Sequence, residues 1–302
     1  MRAARWWTDR SKSKLACAAV VLWLGFGATQ FGATEARAAE PVARRVVSMN
    51  PSFTRILVAL GAKDALVGVD DFSAKAEPAA ADLPRVGGLY SASLESVVAL
   101  QPDLVLLLPT LEQREFQQRL TAIGLPVLAL DPVRFDDVLA TIETLGARVG
   151  RQQQARERVA AIRRTRDAVR AAVASRPVPR TVLVLQREPL FVVGRGSFLD
   201  EMLALAGARN LGAELGETWP RASLEWLVAA APEVILDSAA DPTPAADYWR
   251  RWPSLPAVTR DRVVAVDAGQ ITLPGPDLDR ALIRLARALH GDDLVIEGAP
   301  AP

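Results

Sequence analysis

The sequence has one cysteine and one histidine in 302 residues. Cys17 lies near the amino terminus, so the remaining chain has no thiol for a disulfide or a thiolate metal site. His290 stands beside Gly291, where we interpret it as a helix-end residue that complements the helix dipole. Ser-His or Cys-His catalysis would lack its base, and a tetrahedral His/Cys metal site would lack ligands. We therefore predict no catalytic residue, no bound metal and no resident cofactor.

Long apolar runs are also scarce, and the one candidate lies at the amino terminus. Residues 1–14 are basic, 15–34 carry no charge, and EARAAE at 35–40 has the small-x-small pattern that signal peptidase cleaves. We predict a cleavable export signal over 1–39. The alternative is an uncleaved inner-membrane anchor, because 20 uncharged residues can just span the hydrocarbon core.

A strong excess of either charge is missing too. Six of the 36 basic residues and two of the 35 acidic residues precede position 40, which leaves 30 positive against 33 negative charges. A net charge of about −3 argues against nucleic acid or an anionic membrane surface as the main partner.

Short β-branched or Leu-rich runs alternate with helical patterns from residue 44 onward. This alternation predicts an α/β fold in which helices cover parallel sheets on both faces. The predicted strands are RVVSM (45–49), LVGV (66–69), DLVLLL (103–108), PVLAL (126–130), TVLVLQ (181–186), FVVG (191–194), EVILD (233–237) and VVAVD (263–267).

The alternation is interrupted over 135–175, where two helical stretches follow each other. Residues 151–175 contain no Gly or Pro, and Val159, Ile162, Val169 and Val173 recur at helical spacing. We predict one long linker helix over 151–175 between two Rossmann-like lobes. The expected boundaries are 40–150 for the amino-terminal lobe, 176–295 for the carboxyl-terminal lobe and 296–302 for a tail.

Two stretches 130 positions apart are nearly the same. SLESVVALQPDLVLLL at 93–108 and SLEWLVAAAPEVILDS at 223–238 share a Ser suited to cap a helix, a Glu two positions later and a Pro seven residues after the Glu. Each lobe therefore carries one copy of the same helix-then-strand unit. Glu95 and Glu225 are each explained as first-turn carboxylates, but together they make a two-pronged acidic surface suited to a two-fold symmetric partner with arginines.

Few aromatic side chains are available to bind a ligand, and several follow predicted strands. Ligands bind outside the carboxyl ends of parallel strands, so we expect Phe72, Tyr90, Phe191 and Trp219 to line a cleft between the lobes. The Gly-x-Gly turn around Arg195 either presents N–H groups to an anion or simply makes a tight strand-to-helix turn.

The stretches RVVSMNPSFTRILVALGAKDALVGVDDFS, LPRVGGLYSASLESVVALQPDLVLL and ETWPRASLEWLVAAAPEVILD resemble class III periplasmic substrate-binding proteins of ABC importers. The resemblance covers roughly 44–291 and is strongest to members that bind vitamin B12. It implies a monomeric periplasmic receptor, with two α/β lobes joined by one long helix, that delivers a ligand to an ABC transporter permease dimer in the inner membrane. No enzymatic activity is implied.

Several positions match the family residue by residue. Glu95 and Glu225 match carboxylates that bind permease arginines, Trp219 a tryptophan that packs on the corrinoid, and Phe72 and Phe191 cleft aromatics. This chain departs from the vitamin B12-binding members at Leu89, where a tryptophan is usual, with Tyr90 beside it. It also departs at Leu273, where a basic residue is common, and at Arg55, where a glutamate is usual.

The resemblance makes cobalamin or a related corrinoid the expected ligand. A ferric siderophore is the alternative, because Tyr90, Arg195 and Arg221 could contact it, and haem would need Tyr90 as its axial ligand. An envelope dehydrogenase or glycosyltransferase on a two-lobed scaffold would need a fuller nucleotide fingerprint and a catalytic base. A sensory or structural subunit would keep the fold without transport.

Overall fold

The computed structural model describes residues 41–88 and 91–298, apart from the side chain of Glu112. The predicted signal peptide with Cys17, the cleft candidates Leu89 and Tyr90, and the last four residues of the predicted tail lie outside the described residues. Within the described ranges, no helix combines the length and the apolar character that crossing a membrane requires.

The first lobe is built on a four-stranded parallel sheet in the order β2-β1-β3-β4. Its strands lie inside the predicted runs, and buried side chains, many of them Val and Leu, form one core cluster on each face of the sheet. The elements are β1 (Val46–Ser48), α1 (Pro51–Ala59), β2 (Leu66–Val69), α2 (Asp71–Ala76), α3 (Leu94–Ala99), β3 (Leu104–Leu107), α4 (Leu111–Ala122), β4 (Val127–Ala129) and α5 (Phe135–Arg148).

The linker is α6 (Gln152–Val173), a 22-residue helix about 33 Å long. The four apolar positions that predicted it are all buried, and Arg158 on its side forms an ion pair with Asp279 near the end of the chain. The core cluster around α6 includes side chains from both lobes, such as Phe53 and Phe198. The two lobes therefore share one continuous core along the linker.

The second lobe has a sheet in the order β6-β5-β8-β9, with a short β7 also paired to β5. The prediction of an entirely parallel sheet is wrong for β6, which runs antiparallel to β5 because four residues are too few for a parallel crossover. The elements are β5 (Arg180–Gln186), β6 (Phe191–Val192), α7 (Phe198–Leu205), β7 (Arg209–Asn210), α8 (Leu224–Ala230), β8 (Val234–Asp237), α9 (Ala245–Trp249), α10 (Pro256–Thr259), β9 (Val263–Ala265), α11 (Ala268–Ile271) and α12 (Leu278–His290).

Candidate functional site

Segments that follow strands in the two lobes contact each other. After β4, the carbonyl of Val133 accepts a hydrogen bond of 2.7 Å from the N–H of Phe198, which follows β6. On α1, Arg55 donates to the carbonyl of Gly269, just after β9, at 3.2 Å and forms an ion pair with Asp277 at 2.9 Å. These contacts join segments that follow strands in both lobes, and the predicted ligand cleft would lie between such segments.

Four exposed apolar side chains follow or flank strands in the two lobes. Phe72 after β2 is 56% exposed and Trp219 beside β6 is 44% exposed, whereas Leu111 after β3 is 75% exposed and Val133 after β4 is 38% exposed. Leu111 and Val133 escaped the sequence analysis, which searched for aromatics, although both directly follow predicted strands.

Phe191, Trp219 and Arg221 are brought together by strand pairing. The segment around Trp219 runs antiparallel to β6, with Phe191 opposite Arg221. The N–H of Val192 donates to Pro220 and that of Ala222 donates to Leu190, the pattern of a non-hydrogen-bonded pair whose side chains lie close together. Trp219 lies two residues before Arg221 and therefore on the same face of this segment. Arg221 thus shares one face with both aromatic side chains.

Phe72 is held in place by a capped helix start. Asp70 is the N-cap of α2, and its carboxylate accepts hydrogen bonds from the N–H of Phe72 at 2.8 Å and of Ser73 at 3.0 Å. The Phe72 ring lies beside Gly88, since a Cβ built on Gly88 would stand 3.9 Å from its Cε2. Phe72 is thus next to the segment that leads into Leu89 and Tyr90.

The Gly-x-Gly turn does not offer free N–H groups. The N–H groups of Gly194 and Arg195 donate to the carbonyls of Thr218 and Glu217, and that of Gly196 donates to Asp200. A Cβ on Gly194 would stand 2.0 Å from the Glu217 carbonyl oxygen, so packing requires the glycine. The anion-binding interpretation of the turn backbone is therefore wrong, and only the exposed side chain of Arg195 stays a candidate.

The first lobe contains a buried carboxyl group directly after β2. Asp70 is 3% exposed and accepts a short hydrogen bond from the Ser73 hydroxyl, which is linked at 2.9 Å to Thr54 and from there at 2.8 Å to Ser48. Burial raises the pKa of Asp70 above its ordinary value, and the hydrogen bonds from Ser73 and Phe72 partly oppose that rise.

The second lobe contains a buried ion pair at the end of β8. Asp237 at the end of β8 accepts hydrogen bonds from Arg187 Nε at 3.0 Å and from Trp249 Nε1 at 2.5 Å. Tyr248 packs under the Arg187 guanidinium, 4.6 Å from its ring centroid. A polar cavity of about 620 Å³ lies above this pair, lined in part by Glu188 and Arg251.

The two glutamates predicted to dock a partner have matching surroundings. Ser93 and Ser223 cap α3 and α8, each accepting a hydrogen bond of 3.1 Å from the N–H three residues on. Both carboxylates are fully exposed, and both pKa values lie below the ordinary value, first because of each glutamate's own N–H and then because of the capping serine. Glu95 and Glu225 are therefore charged at neutral pH.

The hydrogen bonds that hold the ends of α3 and α8 are also the same in the two lobes. The Asp103 carboxylate accepts hydrogen bonds from the N–H of Arg45 at 2.9 Å, and the Glu233 carboxylate accepts one from the N–H of Arg180 at 3.0 Å. The Arg45 side chain donates to the Leu100 carbonyl at the end of α3, and the Arg180 side chain donates to the Ala230 carbonyl at the end of α8. The turn residues Gln101 and Ala231 are both left-handed, with φ of 45° and 44°.

An exposed valine accompanies each glutamate. Val98 and Val228 lie three residues after Glu95 and Glu225, on the same helix face, and are 43% and 39% exposed. Equivalent units in the two lobes thus present the same acidic and apolar pair. His290, by contrast, ends α12 with its Nε2 2.8 Å from the Ala206 carbonyl, as the helix-end interpretation predicted.

Comparison with known proteins agrees with this architecture. The family model described as "Periplasmic binding protein" matches residues 46–268, and the chain belongs to that family. The vitamin B12-binding protein of Yersinia pestis (strain Pestoides F) is 29% identical over 196 residues, which cover 65% of this chain and 70% of the relative. The chain is thus related to binding proteins and not to enzymes.

Solved structures share the two-lobed fold. The periplasmic vitamin B12-binding protein BtuF of Vibrio cholerae superimposes with a TM-score of 0.72 at 25% identity, covering 82% of this chain and 96% of that one. The periplasmic haem-binding protein RhuT of Roseiflexus sp. RS-1 gives a TM-score of 0.70 at 28% identity, covering 82% and 97%. The predicted class III fold is therefore confirmed.

Proposed function

We propose that this protein is a periplasmic receptor that binds cobalamin or a related corrinoid between its lobes and delivers it to an ABC importer. The observation that carries the proposal is the set of exposed apolar side chains that follow or flank strands in the two lobes, Phe72, Leu111, Val133 and Trp219. Exposed apolar side chains suit a bulky, nearly neutral macrocycle better than a small charged solute. The vitamin B12-binding relatives point to the same ligand.

A second candidate is an anionic metal chelate, either a ferric siderophore or haem. Arg221 shares its strand face with Phe191 and Trp219, and Arg195 is exposed nearby. A guanidinium beside aromatic rings suits a ligand that combines a flat apolar body with carboxylates. The haem-binding protein of similar fold supports this alternative.

Calorimetric titration with cyanocobalamin, haemin and a ferric hydroxamate tests the ligand. We expect saturable cyanocobalamin binding that Trp219→Ala weakens about 30-fold, as for the loss of an aromatic hot spot worth about 2 kcal/mol. Trp252→Phe is the control, because this indole packs against Tyr248 and Trp249 and is not among the exposed apolar side chains. If only haemin or the hydroxamate bound, and Arg221→Gln weakened that binding, an anionic chelate would replace cobalamin as the proposed ligand.

We propose that the protein docks on the permease through both acidic prongs, Glu95 and Glu225. Because Glu95 and Glu225 are charged and fully exposed, replacing both by arginine reverses the charge that permease arginines would meet. We expect the double variant to keep its ligand affinity and lose uptake, with Glu157→Arg on α6 as the control. Unchanged uptake by the double variant would contradict docking through these residues.

A further inference from the structure

A groove on the second lobe lies outside the cleft and outside the acidic prongs. It has a volume of about 410 Å³ and runs between β9 with the following segment on one side and α12 on the other. Ile271 and Ile283 contribute apolar surface to it. Neither ligand binding in the cleft nor docking through α3 and α8 uses this region.

One side of the groove is the free edge of the sheet. β9 is the last strand in its order, and it pairs with β8 through the Arg262 carbonyl and the Val266 N–H. Alternate residues of a parallel strand point their backbone groups to opposite sides, so those of Val263 and Ala265 face away from β8. Among residues 41–88 and 91–298, no hydrogen bond is formed with the backbone N–H or C=O groups of Val263 and Ala265. Such an edge is a template for a further strand.

The other side of the groove is positively charged. Arg280, Arg284 and Arg287 recur at i, i+4 and i+7 along α12 and line the groove. Arg284 donates to Gln270 at 2.5 Å, and the buried Nε of Arg287 has no hydrogen-bond partner among the described residues. Asp267 and Asp292 also line the groove, so its lining carries one net positive charge, and Arg280 lies 3.8 Å from Asp277.

We propose that this groove binds an extended acidic peptide segment of a partner protein, which pairs with β9 and directs its carboxylates to the α12 arginines. Strand addition supplies main-chain hydrogen bonds, and the side chains on the groove side decide specificity. Arg280 and Arg284 are exposed, so their guanidinium groups can donate charge-assisted hydrogen bonds to the peptide carboxylates. The site is independent of the proposed transport function, because it shares no residue with the cleft or the prongs.

Fluorescence anisotropy with two labelled hexapeptides on the full protein tests the proposal. One peptide alternates glutamate and valine, and the other has glutamine in place of glutamate. We expect saturable binding of the acidic peptide at low salt and at least tenfold weaker binding of its glutamine analogue. The Arg284→Gln/Arg287→Gln variant should lose that preference, whereas Arg163→Gln on the exposed side of α6 should keep it.

Ala265→Pro tests the strand edge separately. It removes an N–H that faces away from β8, so the ladder to β8 stays intact and an edge position can accept proline. We expect this variant to lose peptide binding, while Ala265→Val, which keeps the N–H, binds as the wild type does. Circular dichroism verifies that each variant is folded. Equal binding of the two peptides, or binding unaffected by Ala265→Pro in a folded variant, would overturn the proposal.

Discussion

The two lobes bury a carboxyl group at the end of a parallel strand by different chemistry. In the first lobe, Asp70 is surrounded by backbone N–H groups and the hydroxyl of Ser73. In the second lobe, Asp237 is paired with the guanidinium of Arg187 and the indole N–H of Trp249. In the first arrangement burial raises the pKa of Asp70, whereas the second places opposite charges in contact.

The difference shows which parts of the duplicated unit tolerate change. Within the repeat, Asp237 occupies the position that Leu107 has in the first lobe, and both are buried. The capping serines, the left-handed turns and the arginine anchors are shared, whereas the last strand residue is not. The common parts fix the direction of each helix, and the strand ends that face the cleft are free to differ.

The largest expected effect comes from copying the first lobe into the second with Asp237→Leu. This change leaves the buried Arg187 without its carboxylate and Trp249 without its acceptor, which should lower the free energy of unfolding by about 3–5 kcal/mol. Urea denaturation measures the loss. The double variant Arg187→Met/Asp237→Leu should recover much of it, and a cost below about 1 kcal/mol for the single variant would contradict the assignment.

A smaller and equal effect is expected at the two helix caps. Ser93→Ala and Ser223→Ala each remove the hydroxyl that accepts an N–H at 3.1 Å, which should cost about 1 kcal/mol. Ser175→Ala, at an exposed position after α6, is the control in the same denaturation series. Costs that differ by more than about 1 kcal/mol would show that the two caps are not equivalent.

The left-handed turns should respond in the opposite direction. Gln101→Gly and Ala231→Gly relieve the steric cost of a positive φ, so each should raise the free energy of unfolding by about 0.5–1 kcal/mol. Ala99→Gly and Ala229→Gly, within the preceding helices, should each lower it by a similar amount. If the turn and helix variants moved in the same direction, positive φ would not be the controlling factor.

The smallest effect is a pH dependence confined to the first lobe. Because the pKa of Asp70 is raised on folding, its contribution to stability is complete below the ordinary pKa of 3.8 and is lost as the pH rises through the folded value. Asp70→Asn should therefore become more stable relative to the wild type as the pH increases from about 3.5 to 7. Denaturation across this range measures the change, and a difference independent of pH would contradict the raised pKa.

Much of the architecture follows from local sequence patterns. LVGV at 66–69 matches β2 at both ends, and the stretch without Gly or Pro at 151–175 contains α6. The antiparallel direction of β6 was missed because the alternation was extended across Arg187–Leu190, a connection too short for a crossover. Leu111 and Val133 were missed because an aliphatic residue after a strand looks the same whether it is buried or exposed.

The amino-acid sequence by itself determined the α/β fold class, the linker helix and the duplicated unit, because periodicity, capping and turn residues act over a few positions. Only the tertiary structure decided which side chains share a surface. The pairing of Phe191 with Arg221, the Arg187–Asp237 ion pair and the groove between β9 and α12 each join residues distant along the chain. Such contacts depend on strand order and register, which local patterns do not contain.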